Sequence, residues 1–133
     1  MSKLQKKAAR IITGDSYDIR SNEVFQKLNW LPMNTHLQIR ENIATFKALT
    51  GNSPAYLTDL FNRCSNETYN LRSNFDQLSL AKPNTNFLKK SFSYRAAKSW
   101  NNLPLILTQN IGNQTTNVFK TLLINHYRNN YSD

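Results

Sequence analysis

The sequence predicts a mainly α-helical protein with five or six helices, at most one short β-hairpin and one long irregular segment. Only three of its 133 residues are glycine, which disfavours a β-sandwich rich in tight turns. Apolar residues recur at three- and four-residue spacing in several stretches, as on the buried face of a helix. The length suits one domain. We therefore expect a single unit over 1–133 with a helical part, 1–61, an irregular basic and aromatic segment, 62–94, and C-terminal helices, 95–127.

The composition excludes several classes of protein. No stretch approaches the roughly 20 consecutive apolar residues of a membrane-spanning helix, so we expect no membrane partner. One cysteine cannot form an internal disulfide, and no apolar signal segment opens the chain, which disfavours a secreted disulfide scaffold. We expect an intracellular protein of the nucleus or the cytoplasm. The acid-poor N-terminus also resembles a mitochondrial presequence, which is the alternative location.

The first predicted helix is amphipathic and basic. Ser2 and Gln5 have the spacing of a capping box, and the helix should run to Thr13, where Gly14 can adopt the left-handed conformation that ends many helices. Its apolar stripe contains Leu4, Ala8, Ile11 and Ile12. Its basic side contains Lys3, Lys6, Lys7 and Arg10.

Three further helices are predicted in the first half of the chain. Ser21 can cap a short helix that ends before Trp30-Leu31-Pro32, since proline disfavours helical geometry in the residue before it. A longer helix at 35–49 has a wide apolar face, which implies burial from more than one side. Ser53-Pro54 can begin a short helix at 55–61. That helix should bury Tyr56, Leu57, Leu60 and Phe61.

The segment 62–91 breaks the helical pattern, because Asn, Ser and Thr dominate it and its apolar residues are isolated. Apolar and polar residues alternate at 78–80 and at 91–94, which is typical of short strands. We expect either a small hairpin around residues 69–94 or a segment that packs on a surface outside this chain.

Two helices are predicted after this segment. The first should span 95–102 and stop before Pro104. The second should span 116–127. Its apolar face contains Val118, Phe119, Leu122, Leu123 and Tyr127.

Residues capable of catalysis or metal binding are scattered along the chain. His36 and His126 have no cysteine, histidine or acid at ligand spacing, and Cys64 is the single cysteine, so no metal site is predicted. Asp15 and Asp18 are typical of a turn after a helix. There is no phosphate-binding glycine loop and no serine nucleophile elbow. We predict no catalytic residue, no metal and no cofactor.

Positive charge is concentrated toward the C-terminus. The formal net charge is +9, and residues 81–133 alone carry +6. Cations alternate with aromatic rings between Lys82 and Trp100, which suits single-stranded nucleic acid, because cations engage phosphates and rings stack on bases. The candidate nucleic-acid-binding residues are Lys6, Lys7, Arg10, Lys82, Phe87, Lys89, Lys90, Arg95 and Lys98. In the alternative interpretation the rings are core anchors, and we expect Trp100 to be buried.

A series of short motifs extends along nearly the whole chain. In order they are Leu4-Gln5-Lys6-Lys7-Ala8-Ala9-Arg10-Ile11-Ile12-Thr13-Gly14, Leu28-Asn29-Trp30-Leu31-Pro32, Phe46-Lys47-Ala48-Leu49-Thr50-Gly51, Ser53-Pro54-Ala55-Tyr56-Leu57, Tyr69-Asn70-Leu71-Arg72, Lys82-Pro83-x-Thr85-Asn86-x-Leu88-Lys89-Lys90-Ser91-Phe92-Ser93-Tyr94 and Trp100-Asn101-x-Leu103-Pro104. In this order and spacing they closely resemble the far C-terminal region of reverse transcriptases encoded by animal non-LTR retrotransposons.

The resemblance implies RNA-directed DNA synthesis for the parent protein but not for this chain. Such polymerases hold their catalytic metals with paired aspartates in an upstream strand motif, and this sequence contains no Asp-Asp pair. The family's endonuclease is absent too, and one cysteine excludes the zinc knuckle in which some relatives end. We expect the chain to be the segment that follows the polymerase domain, as in a truncated element copy, and not to be an enzyme.

Two functions agree with the residues and the resemblance. The first is an accessory domain that binds template RNA or target DNA, with weak sequence preference, through residues 82–98 and the first helix. The second is a packing domain whose apolar surfaces brace the thumb of the upstream polymerase. Clustering of the cations on one solvent face favours the first function, and a large bare apolar patch elsewhere favours the second.

Overall fold

A computed structural model of the chain describes residues 3–64, 77–109 and 111–132. This part of the chain contains eight α-helices and one 3₁₀ turn, Ile111–Asn113. The α-helices are α1 (Lys3–Thr13), α2 (Ser21–Lys27), α3 (Met33–Leu49), α4 (Ala55–Thr58), α5 (Asn86–Lys90), α6 (Phe92–Asn101), α7 (Leu105–Thr108) and α8 (Thr116–Ser132). The mainly α fold class is confirmed. Six of these helices correspond to predicted ones, and the short helices α5 and α7 were not predicted.

Helix α3 is the centre of the fold, with α6 and α8 packed along it. Phe46 of α3 stacks on Phe119 of α8, with ring centroids 4.4 Å apart. Trp100 of α6 lies against the same Phe119 ring at 5.7 Å and is fully buried, as predicted. Three aromatic rings, each from a different helix, therefore pack together in the centre of the core.

A buried amide also joins these three helices. Asn42 on α3 is fully buried. Its Nδ2 donates to Ser99 Oγ on α6 at 3.1 Å and to Tyr127 Oη on α8 at 3.3 Å. Because a buried polar group is costly when it is unpaired, these bonds favour one register of α6 and α8 along α3.

The apolar stripe of α1 points to solvent. Leu4 and Ile11 are 79% and 73% exposed, and α1 instead buries Ala9 against Val24 and Phe25 of α2. The helix is amphipathic as predicted. Its apolar face, which in most helices packs against the core, is not covered by any of the described residues.

Gln5 attaches α1 to the start of α3. Its Nε2 donates to Leu31 O at 2.8 Å, and its Oε1 accepts from the Met33 N–H at 2.9 Å. The amide of Gln5 is therefore used in a tertiary contact, and its role in a capping box stays a prediction. Ser2, the other half of that prediction, lies outside the described residues.

Glycines end α1 and α3 as predicted. Gly14 and Gly51 have positive φ angles of 70° and 73°. After α3, the Asn52 N–H donates to Lys47 O and the Gly51 N–H to Ala48 O. These are the paired bonds of a Schellman cap, which requires a left-handed residue at the glycine position.

The predicted N-caps at Ser21 and Ser53 are wrong. Arg20 and Pro54 occupy the N-cap positions of α2 and α4, without a side-chain cap bond. The Ser21 hydroxyl accepts a hydrogen bond from Arg10 instead. Helix α4 also ends at Thr58, before the predicted residue 61. Tyr56 and Leu60 are exposed rather than buried, whereas Leu57 is half-buried against the core and Phe61 is buried in it.

The predicted strand at 91–94 is wrong, because these residues begin α6. Ser91 is the N-cap of α6, and its hydroxyl accepts from the Tyr94 N–H at 3.4 Å. The alternation of Ser and aromatic residues thus belongs to the first turn of a helix. Residues 69–76 of the predicted hairpin lie outside the described residues.

Leu78 connects the irregular segment to the core. It forms an isolated antiparallel bridge with Arg63 and is buried. Asn101 of α6 brackets its backbone: Oδ1 accepts from the Leu78 N–H at 2.8 Å, and Nδ2 donates to Leu78 O at 2.9 Å. This amide clamp fixes the chain shortly before it enters α5.

We predict a pH-dependent contribution to stability from Asp15, in the turn after α1. Its carboxylate accepts from Lys27 Nζ at 2.7 Å, and this hydrogen bond holds the pKa of Asp15 below its ordinary value. A carboxyl whose folded pKa is lowered stabilises the protein above its unfolded pKa and loses that contribution as pH falls through the folded value. Asp15→Asn should lower the urea midpoint at pH 7, and the difference should shrink below about pH 4. A difference independent of pH would contradict this account.

Candidate nucleic-acid interface

Helix α5 presents the aromatic and basic residues that the sequence singled out. The Thr85 hydroxyl caps its start by accepting from the Leu88 N–H at 3.2 Å. At its end, Ser91 Oγ donates to Leu88 O at 2.7 Å. Leu88 itself is half-buried in a small cleft beside Leu60 and Ala97. A single apolar anchor and two hydroxyl caps therefore hold a five-residue helix on the surface.

The outer side of α5 combines a bare ring with exposed cations. Phe87 is 86% exposed, and Lys89 and Lys90 are exposed beside it. Lys82, in the extended segment before α5, is exposed as well. Isolated apolar side chains are common on protein surfaces. A flat ring on the same short helix as two exposed lysines is different, because it offers base stacking and phosphate binding within one small area.

Arg95 and Lys98 lie on the solvent side of α6, one turn apart. Both are exposed, opposite the face that buries Ala96 and Trp100. Arg95 is paired: its Nη2 lies 2.7 Å from Glu41 Oε1 on α3. Its positive charge is therefore largely offset, whereas Lys98 has no ion pair of this kind within the described residues.

The cations of α1 are far from α5. Gln5 bonds α1 to Leu31 and Met33, at the start of α3. Thr58 of α4 donates to Ala48 O, near the other end of α3. Leu60, two residues after Thr58, lines the cleft that holds α5. Fifteen residues separate Met33 from Ala48, which is about 22 Å along a helix. The cations of α1 and of α5 therefore lie near opposite ends of α3. Arg95 and Lys98 lie between them, beside Glu41 and Leu37 of α3.

Within the α1 group, only Lys7 is fully available. Arg10 donates to Ile19 O at 3.0 Å and to Ser21 Oγ at 3.3 Å, and its guanidinium lies 5.4 Å from the centre of the Tyr17 ring. It therefore stabilises the connection between α1 and α2. Lys6 is half-buried and Lys7 is exposed.

A second basic surface, which the site prediction did not include, lies between α3 and α8. Arg40 and Lys47 of α3 face Lys120 and Arg128 of α8 across a groove of about 490 Å³. The sequence contained a sign of this surface. Arg40 and Lys47 are seven residues apart and Lys120 and Arg128 are eight apart, so each pair lies on one face of its helix. Only the packing of α3 against α8 brings the two helices' cations together.

No protein-family model, curated protein or solved structure matches the chain. Among residues 3–64, 77–109 and 111–132, there is no group of three or more acids, histidines or cysteines that could hold a metal ion. In the same part of the chain, no helix has the length and apolar character needed to span a membrane. Functional assignment therefore depends on the chemistry of the surfaces described above.

Proposed function

We propose that this protein binds single-stranded nucleic acid, RNA or DNA, through the outer surface of α5 and α6. The proposed contacts are Lys82, Phe87, Lys89, Lys90 and Lys98. The observation that carries the proposal is the 86% exposed Phe87 ring beside two exposed lysines on a helix whose ends are both capped. Arg95 belongs to this surface but is held by Glu41.

The binding mode follows from the chemistry of these side chains. Lysine ammonium groups engage any phosphate, so they contribute affinity without reading sequence. The Phe87 ring can stack on any base, because every base has a π-face. A five-residue helix is too short to read a major groove, which supports weak sequence preference.

We further propose that the chain corresponds to the segment after the polymerase domain of a non-LTR retrotransposon reverse transcriptase. The support is the order and spacing of the motifs from Leu4 to Pro104. On this proposal the chain is a non-catalytic fragment that holds RNA or DNA for a polymerase that it does not itself contain.

A packing function is the second candidate, and two observations favour it: the predicted cations of α1 and α5 lie far apart, and an apolar surface is bare. The apolar stripe of α1 is bare, and it continues into a shallow apolar groove formed with Trp30 and Met33. Leu4 is 79% exposed and Ile11 is 73% exposed. A patch of this kind is typical of a surface that another protein covers. On this proposal the partner is the upstream polymerase domain.

The test of the first function is a titration of the whole chain with fluorescent single-stranded RNA, single-stranded DNA and duplex DNA at two salt concentrations. Binding to both single strands, weaker at the higher salt, is the expected result. An absence of binding at low salt would remove the nucleic-acid proposal and leave the packing function.

Glu41→Gln should strengthen binding, because it releases Arg95 from its ion pair. One additional phosphate contact should steepen the salt dependence of the binding constant by about 0.7. Glu23→Gln is the matched control, since Glu23 is an exposed acid on α2, the helix that packs against α1. Equal effects of the two substitutions would mean that only net charge matters and that Arg95 makes no local contact.

A further inference from the structure

We propose that the groove between α3 and α8 is a second site, which takes the phosphodiester backbone of a single nucleic-acid strand. The inference rests on the proposed function for its ligand class but concerns different residues. Cations form both rims, Arg40 and Lys47 on α3 and Lys120 and Arg128 on α8. None of the described residues that line the groove is acidic.

The two helices run antiparallel, and this sets the arrangement of the cations. Phe46 pairs with Phe119, and Asn42 with Tyr127, so α8 advances toward the start of α3. The register places Lys47 and Lys120 at one end of the groove and Arg40 and Arg128 at the other. The two pairs are about 10 Å apart, the length of seven helical residues. Such a row suits a linear polyanion better than one compact anion.

Three of these four cations are accessible. Arg40, Lys47 and Lys120 are exposed, and none of the three takes part in the Lys27–Asp15 or Arg95–Glu41 ion pair. Ile43 and Ile124 form an apolar floor between the rims. The sugars and bases of a strand can lie against this floor while its phosphates meet the cations.

The charge pattern of the groove favours a nucleic-acid strand over a peptide. The groove extends from His36 to Lys47, which is about 16 Å, and its volume is about 490 Å³. An extended acidic peptide would need an acid at nearly every second residue, whereas a nucleic-acid strand has a charge on every unit. We therefore assign the groove to nucleic acid.

The test compares variants of the full chain with a 12-nucleotide oligouridine probe. Arg40→Gln, Lys47→Gln and Lys120→Gln together should lower the salt slope of binding by about 2, at about 0.7 for each lost contact. The matched control replaces three exposed cations outside both surfaces, Lys3, Arg20 and Arg63, by Gln. It removes the same charge and should lower the slope by much less.

A second measurement needs no substitution. Bound oligouridine should protect Lys47 and Lys120 from acetylation, as read by mass spectrometry. The groove site is wrong if the groove variant binds like its control and oligouridine protects neither lysine. The proposed function still stands in that case, provided that the chain binds oligouridine and that Lys89→Ala with Lys90→Ala weakens this binding. If the chain binds no oligouridine, both fail. Binding of an oligoglutamate peptide in the groove without protection by oligouridine would also overturn the assignment.

Discussion

Replacing Trp100 with Ala is expected to lower the free energy of unfolding by about 3–5 kcal/mol, the usual cost of truncating a fully buried tryptophan. Trp100 is fully buried on α6, and its ring packs against Phe119, which in turn stacks on Phe46. The cavity would therefore open at the contact that joins α3, α6 and α8. A loss of this size is a large fraction of the stability of a small domain, so the variant should be mostly unfolded well below the parent's denaturant midpoint.

Urea unfolding followed by circular dichroism measures this effect. Ile106→Ala is the matched control, because Ile106 on α7 is 77% exposed and its truncation should change the free energy of unfolding by no more than about 0.5 kcal/mol. Similar midpoints for the two variants would show that the aromatic junction around Trp100 is not the centre of the core.

Replacing Phe87 with Ala should weaken binding to single-stranded nucleic acid by about 1–3 kcal/mol, or roughly 5- to 150-fold. The ring is almost wholly exposed, so its loss removes no core contact. The salt slope should be nearly unchanged, since no phosphate contact is lost. Anisotropy titrations at two salt concentrations measure both quantities.

Two further substitutions at this position separate stacking from general contact. Phe87→Tyr keeps a flat ring and should bind about as well as the parent, whereas Phe87→Leu keeps apolar bulk without the ring and should resemble Phe87→Ala. Unchanged melting of all three variants checks that α5 is intact, as its anchoring by Leu88 and its caps implies. If Phe87→Leu binds like the parent, base stacking is not the role of Phe87.

The sequence predicted the long helices because their patterns are local. Helix α3 appears at Met33–Leu49 against a prediction of 35–49, and Gly51 ends it in the left-handed conformation. The strand predicted at 91–94 was wrong because alternation over four residues also fits one helical turn, and only the Ser91 cap distinguishes the two. Periodicity also identifies which residues of α1 are apolar, but not what covers them, so the exposure of Leu4 was not foreseeable.

The sequence predicted only the part of the candidate site whose residues are neighbours along the chain. The segment around Phe87, Lys89 and Lys90 is contiguous in sequence, and the structure keeps it together on α5. Pairing of Arg95 with Glu41 depends on how α6 packs against α3, across 54 residues of sequence, and no local pattern indicates it. The same is true of the groove between α3 and α8, whose cations come from separate helices.

The central claim is that the lysines of α5 contact the phosphates of a single strand. The most direct measurement is the salt dependence of the binding constant for the chain and for Lys89→Ala with Lys90→Ala, against the same oligouridine. We predict that the double substitution lowers the slope of log binding constant against log salt by about 1.4, at about 0.7 for each lost contact, with little dependence on base sequence. An unchanged slope, with affinity equal to the parent at low salt, would contradict the claim and leave the groove between α3 and α8 as the phosphate-binding surface.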